Sequence, residues 1–174
     1  MREKISLRPL QIEDAAITWH WRNQPAVMDF FSGHSFSVTY EDELRWMEQE
    51  IIPSSAKRSF GVSLASTNEL IGMTFLKNFQ TNHRQAEFAI LIDAAHTGMG
   101  YGKAACYETF RIAFRELGLH RVFLKVRVDN LAAIRIYEAC GMQVEGRLRD
   151  DMYKNGRFVD QFIMSVLEHE FNNH

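Results

Sequence analysis

Apolar positions along this chain alternate between two periods, and the changes of period mark its elements. Ile5-Ser6-Leu7-Arg8 reads as a short strand ended by Pro9. From Glu13 to Asn23, Ile17 and Trp21 fall at a helical interval, and Asn23-Gln24-Pro25 is a stop signal. Phe30 to Val38 is aromatic and polar with Gly33, which predicts a loop. Thr39 to Ile51 reads as a second helix: Thr39 is a capping residue, Asp42 follows three positions later, Leu44, Met47 and Ile51 keep helical spacing, and Pro53 ends it. From Arg58 the period shortens to that of a strand, with Phe60, Val62 and Leu64 alternating with smaller residues. Ser66-Thr67-Asn68-Glu69 predicts a turn, and Leu70 to Asn78 a returning strand. Arg84 to Ile92 is another strand, whose end Ala89-Ile90-Leu91-Ile92 is apolar throughout and so predicts burial on both faces. A helix carrying Tyr107, Phe110, Phe114 and Leu117 follows, with Gly118 as its cap. Arg121 to Val128 is a strand and Asn130 to Ala139 a helix. Met142 to Leu167 reads as two long strands turning at Asn155-Gly156, the strongest short hairpin signal. Hairpins at both ends and a strand-helix-strand-helix unit between them predict an α/β (α+β) chain with a mixed sheet.

Composition narrows the function classes. The 174 residues predict one domain, with 46% apolar residues, enough for a sizeable core. A net charge of −2 argues against a dedicated nucleic-acid binder. No apolar run approaches the about 20 residues that span a bilayer, so no membrane partner is expected. The N-terminus lacks the apolar stretch of a signal peptide. Cys106 and Cys140 are too few for a disulfide framework and read as small packing residues. These features together predict a reduced, cytoplasmic compartment. The seven histidines are scattered without metal-ligand spacing, so no metal is expected; His83, His96 and His120 read as surface or supporting groups.

The candidate chemistry lies in two places. After the apolar strand comes His96-Thr97-Gly98-Met99-Gly100-Tyr101-Gly102-Lys103. Glycines at the start of a helix let an anion approach unpaired N–H groups at its positive end. The spacing is neither the dinucleotide pattern nor that of a nucleotide-triphosphate loop, and a tight-packing turn is the plain alternative. If the neighbouring strand diverges here, Leu91 and its neighbours keep free backbone groups for an extended ligand or an oxyanion. The second place is Tyr137, on one helical face with Ala133 and Ile134. It is either a core aromatic or a proton donor for a departing thiolate. Asn130 opens that helix and is at least a cap.

The stretch from Asn82 to Asp160 resembles the GNAT superfamily of acetyl-CoA-dependent N-acetyltransferases, and within it the spermidine acetyltransferase and ribosomal-protein N-terminal acetyltransferase branch. His83-Arg84-Gln85-Ala86-Glu87-Phe88-Ala89-Ile90 is similar to the central strand of the spermidine enzymes, and Asn155-Gly156-Arg157-Phe158-Val159-Asp160 to their closing hairpin. Leu7-Arg8-Pro9-Leu10 also fits, while residues 26–57 match least. The resemblance implies a mostly antiparallel sheet, splayed at the cofactor site and flanked by helices. It implies acetyl-CoA as cosubstrate, held by Ile90, Leu91, Ile92, by Thr97, Gly98, Met99, Gly100, Tyr101, Gly102 and Lys103, and by Asn130. Thr97 stands where the family has Gln or Arg, which weakens one side-chain contact. Tyr137 matches the general acid.

An amine with a pKa of about 10.4 must lose a proton before it attacks a thioester. Glu87 is the candidate base through water, or else a carboxylate that orients the amine; His83 is a weaker candidate. Lys103, Arg111 and Arg135 are candidates for the phosphates of coenzyme A, each with a solvated surface charge as the alternative. The acceptor stays open among a polyamine such as spermidine, a protein N-terminus and an amino sugar. Glu41, Asp42, Glu43, Glu48 and Glu50 supply acid, whereas Phe30-Phe31-Ser32-Gly33-His34-Ser35-Phe36 is aromatic and uncharged. The readings from other classes are a non-catalytic acyl-CoA sensor and an interaction module. A homo-oligomer is an expectation of the resemblance alone.

Overall fold

The computed structural model describes residues 4–29, 36–52 and 57–171. Seven strands form one sheet in the order β1-β2-β3-β4-β5-β7-β6. They are β1 (Ile5–Pro9), β2 (Arg58–Leu64), β3 (Leu70–Gln80), β4 (Gln85–Ile92), β5 (Arg121–Arg127), β6 (Gln143–Lys154) and β7 (Arg157–Leu167). The helices are α1 (Ala15–Arg22), α2 (Pro25–Met28), α3 (Tyr40–Trp46), α4 (Tyr101–Arg115), α5 (Leu131–Glu138) and α6 (Glu168–Phe171). Every strand pair is antiparallel except β4 with β5. Among the described residues, no helix is long and apolar enough to cross a membrane.

Period-two alternation sends side chains to two faces, and each face is covered by different helices. Phe88, Val122, Leu124 and Val126 pack with Cys106, Phe110 and Phe114 of α4 and with Ile134 and Tyr137 of α5. On the opposite face, Met73, Phe75 and Leu91 pack with Ala15 and Trp21 of α1 and with Met47 and Ile51 beyond α3.

Local signals set most boundaries. The Thr39 hydroxyl accepts from the Asp42 N–H at 3.1 Å and starts α3. The helix read through to Ile51 changes at Met47 into a π-helical turn that places both Met47 and Ile51 in the core. Asn155 and Gly156 take φ of 51° and 79°, the left-handed pair of a two-residue hairpin. In α1 the buried residues are Ala15, Thr18 and Trp21, and Ile17 is exposed. α1 ends at Arg22, ahead of the stop signal Asn23-Gln24-Pro25, and Pro25 also begins α2, where its missing N–H costs nothing. Of the aromatic loop, residues 30–35 lie outside the described residues, as does Pro53, and Phe36 is exposed.

One expectation about β4 is corrected. Ala89, Ile90 and Ile92 are only half-buried, not buried on both faces. The reason is geometric: β4 pairs with β5 only from Gln85 to Glu87, opposite Arg121 to Phe123. Beyond Glu87 the two strands diverge, while β4 keeps its ladder with β3 as far as Ile92.

The β3 side of that ladder depends on Gly72. A Cβ there would lie 2.6 Å from the Leu91 carbonyl oxygen and 2.6 Å from Ile92 Cδ1. The side chain can turn aside, but the carbonyl moves only with its strand. Gly72→Ala should therefore destabilise by about 2 kcal/mol and lower the melting temperature by about 6 °C. It should also weaken acetyl-CoA binding, because β4 shifts at the splay. Thermal melts and calorimetric titration check both effects.

Candidate active site

The splay opens a cleft of about 810 Å³ that reaches from one face of the sheet to the other. Phe88, Ile90 and Ile92 line it on the α4–α5 side, and Glu87, Ala89 and Leu91 on the side of α1 and α3. Past Glu87, the backbone groups of β4 that point towards β5 have no ladder partner there. They are available to an extended ligand.

The glycine cluster forms the upper wall. Gly98 and Gly100 have φ of 76° and 86°, a conformation that side chains with a Cβ resist. They turn the chain sharply from Thr97 into α4. Among the described residues, the N–H groups of Gly98, Met99 and Gly100 find no acceptor. Those of the first turn of α4 have no carbonyl four residues back within the helix. A Cβ on Gly102 would touch Ile136 Cδ1 at 3.5 Å and Ile92 Cγ1 at 3.9 Å, on the floor of the cleft. The arrangement suits a pyrophosphate at the positive end of a 15-residue helix.

Tyr137 reaches the cleft from α5 and is 9% exposed. Its ring meets Phe88 edge-on at 6.4 Å. Among the described residues its hydroxyl has no hydrogen-bond partner, so the backbone bond of an ordinary core tyrosine is missing. Burial pushes the phenol well above its ordinary range. Cys106 is itself held as a thiol by burial. The helix that carries Tyr137 starts at Asn130, whose Oδ1 accepts from the Ala133 N–H at 3.2 Å.

Glu87 faces the other mouth of the cleft. Asn78 donates to its Oε2 at 2.7 Å, and Lys77 Nζ lies 3.3 Å from its Oε1. Asn78 sits at φ 52° in an irregularity of the β3–β4 pairing, which turns its amide towards Glu87.

The cleft thus brings together Tyr137, Glu87, Ile90, Leu91, Ile92, Thr97, Gly98, Gly100, Gly102, Asn130 and Arg135. Other candidates lie off its lining. Met99 is 49% exposed. Tyr101 packs with Val62, Leu64, Ile71 and Ala105. Lys103 is exposed, and its carbonyl accepts from the Cys140 thiol at 3.6 Å. His83 is exposed on a 3₁₀ turn. Arg111 is held on the surface by Glu108 and Glu116. Sequence reasoning did not single out Lys77, Lys125, Gln161 or the α2 residues Ala26 and Val27, all of which line the cleft. They come from four separate elements, and no local pattern joins them. His96, read as a supporting group, also lines it and is tied to Asp93 at 3.1 Å.

Comparison with known proteins agrees with this architecture. The family model of the acetyltransferase (GNAT) domain matches residues 4–143. The spermidine N(1)-acetyltransferase of Vibrio cholerae is 33% identical over 175 residues, covering 99% of this chain and 98% of its own. The enzyme of that name from Escherichia coli K12 is 30% identical over 169 residues, covering 96% and 88%. The crystal structure of the V. cholerae spermidine N-acetyltransferase in complex with CoA and spermine has a TM-score of 0.91, with 29% identity, over 98% of this chain and 99% of that one. The fold is therefore shared along almost the whole length, and the chain belongs to the GNAT family of acetyl-CoA-dependent N-acetyltransferases.

Proposed function

We propose that the acceptor is a primary amine of the polyamine class, such as spermidine, and that Tyr137 and Glu87 work from opposite mouths of the cleft. The observation that carries the acceptor class is the near full-length similarity to two enzymes named as spermidine N(1)-acetyltransferases. Acetyl-CoA supplies an acetyl group activated as a thioester. The amide groups of Gly98, Gly100 and Gly102 would receive its pyrophosphate, and the unpaired edge of β4 its extended arm. Thr97, Asn130 and Arg135 would add side-chain contacts nearby. Lys103, Met99 and Tyr101 would contribute through the backbone of the same turn. Glu87 orients the incoming amine and takes up its proton through water. Tyr137 holds a proton at its phenol oxygen for the sulfur that departs.

A second reading has its own support. Glu87, the acid that lines the cleft, is already matched by Lys77 at 3.3 Å, and a second lysine, Lys125, also lines it and is held by Asp151 at 2.9 Å. Such a mouth has little net negative charge, which favours a less cationic amine, an amino sugar or a peptide N-terminus. Thiol release from acetyl-CoA in the presence of spermidine, spermine, N-terminal peptides or amino sugars separates the two. Turnover with the polyamines above all other arms is the expected result. Turnover confined to a sugar or peptide arm overturns the polyamine class. Silence in every arm with acetyl-CoA binding intact also overturns it, in favour of an acyl-CoA sensor.

A further inference from the structure

Arg127, at the end of β5, makes a connection that the catalytic reading does not use. Its side chain is 6% exposed. Nε and Nη2 grip both oxygens of Asp129 at 2.9 and 2.7 Å, and Nη1 donates to the backbone carbonyl of Asp29 at 2.9 Å. Asp29 ends α2, so its carbonyl is one of the acceptors that a helix leaves unfilled, and a cation there also meets the negative end of the helix. With four residues, α2 is too short to hold itself together, and its place must come from tertiary contacts. Asp29 is held a second time by Asn155 at the β6–β7 turn, whose amide donates to its Oδ1 at 2.5 Å. The main chain of Arg127 serves the opposite wall: its carbonyl accepts from the N–H of Asn130, the residue that caps α5, at 3.0 Å. Ala26 and Val27 of α2 line the cleft from one side, and Tyr137 of α5 from the other.

We propose that Arg127 is a positioning residue that fixes the acceptor wall, α2, relative to the helix that carries Tyr137. The proposal rests on the proposed amine transfer and takes the amine to enter beside α2, whose Ala26 and Val27 line the cleft, whichever amine it is. A planar guanidinium fills three acceptor positions at once; an ammonium is a single point of charge and cannot reproduce the fork. Removing the fork loosens the end of α2, whose Val27 and Met28 stay packed, and leaves in place the glycine turn, the β4 edge and the main-chain bond from Asn130 to Arg127. The loss therefore falls on the amine and not on acetyl-CoA.

The test compares Arg127→Lys and Asn155→Gly, singly and together, with the parent enzyme on whichever amine the parent accepts. Glycine keeps the left-handed turn at 155 and leaves Arg127 in place. Arg127→Lys should raise the amine KM about tenfold with the acetyl-CoA Kd unchanged. Asn155→Gly should raise it less, and the double variant should fall short of the product of the two, because both act through Asp29. A weakening of acetyl-CoA in step with the amine overturns the proposal, as does an unchanged amine KM or a fully additive double variant. If Arg127→Lys fails to fold, Asn155→Gly alone decides by the same split between amine KM and acetyl-CoA Kd. A failed polyamine assignment appears in the parent's acceptor profile and leaves this comparison intact.

Discussion

Replacing Tyr137 by phenylalanine is expected to lower kcat about a hundredfold, at the lower end of what a positioned proton donor contributes. The lower end applies because the burial that keeps this phenol protonated also makes it a weaker acid. The ring would stay against Phe88, and no hydrogen bond among the described residues would be lost with the hydroxyl. Stability and the acetyl-CoA Kd should hold while turnover falls. Turnover kinetics beside calorimetric binding and a thermal melt make that distinction. Equal kcat in the two proteins would remove the acid role.

The pH behaviour follows from the same shift. The folded pKa of Tyr137 is raised, so the phenol keeps its proton across the working range and should add no falling limb to the rate profile. Unfolded tyrosine ionises near about pH 10. Above that pH the unfolded chain sheds a proton that the folded protein keeps. The Tyr137 contribution to stability is therefore complete below about pH 10 and is lost as the pH rises beyond it.

Arg22→Met is expected to be the most damaging of the substitutions considered, through stability. Glu43 of α3 is fully buried as a carboxylate. Its two oxygens are met by the Thr18 hydroxyl at 2.6 Å and by Arg22 Nη1 at 2.8 Å, both from α1. Methionine preserves packing near Trp46, over which the guanidinium lies at 4.7 Å, but leaves a buried carboxylate with a hydroxyl alone. Breaking such a pair from one side costs about 3 kcal/mol, the lower figure because Arg22 is partly exposed. For a chain of this size the melting temperature should fall by about 9 °C. Adding Glu43→Gln to Arg22→Met should recover much of the loss, because the uncompensated charge is gone. A fall no larger than that of an exposed ion pair, below about 1 kcal/mol, would show that the pair is not structural.

Most elements were readable because their signals are local. Thr39 with Asp42, Asn155 with Gly156, and the stripe carrying Phe110 and Phe114 act over a few residues and needed no partner to be recognised. The glycine turn was readable for the same reason: positive φ at Gly98 and Gly100 is a property of two positions. Errors arose where a local pattern met a tertiary exception. Ala89 to Ile92 reads as a doubly buried strand, and only the divergence of β5 after Phe123 uncovers it. The stop at Pro25 holds, since α1 ends at Arg22, but the short helix that Pro25 then starts was not legible, because α2 is held from outside by Arg127 and Asn155.

The order of periods along the chain, its capping residues and its two turn signatures were enough to set most of the strands and helices and to mark Tyr137 and the glycine loop as candidates, while Glu87 came from the family resemblance. They act through backbone conformation and solvent exposure within a few residues, and those energies are written position by position. The cleft itself is not written that way. It exists because two strands distant in sequence part company, and because Lys77, Lys125, Gln161 and α2 arrive at the opening from separate elements. Which side chains share that space, and that one guanidinium ties its two walls together, are consequences of long-range packing. Only the folded chain decides them.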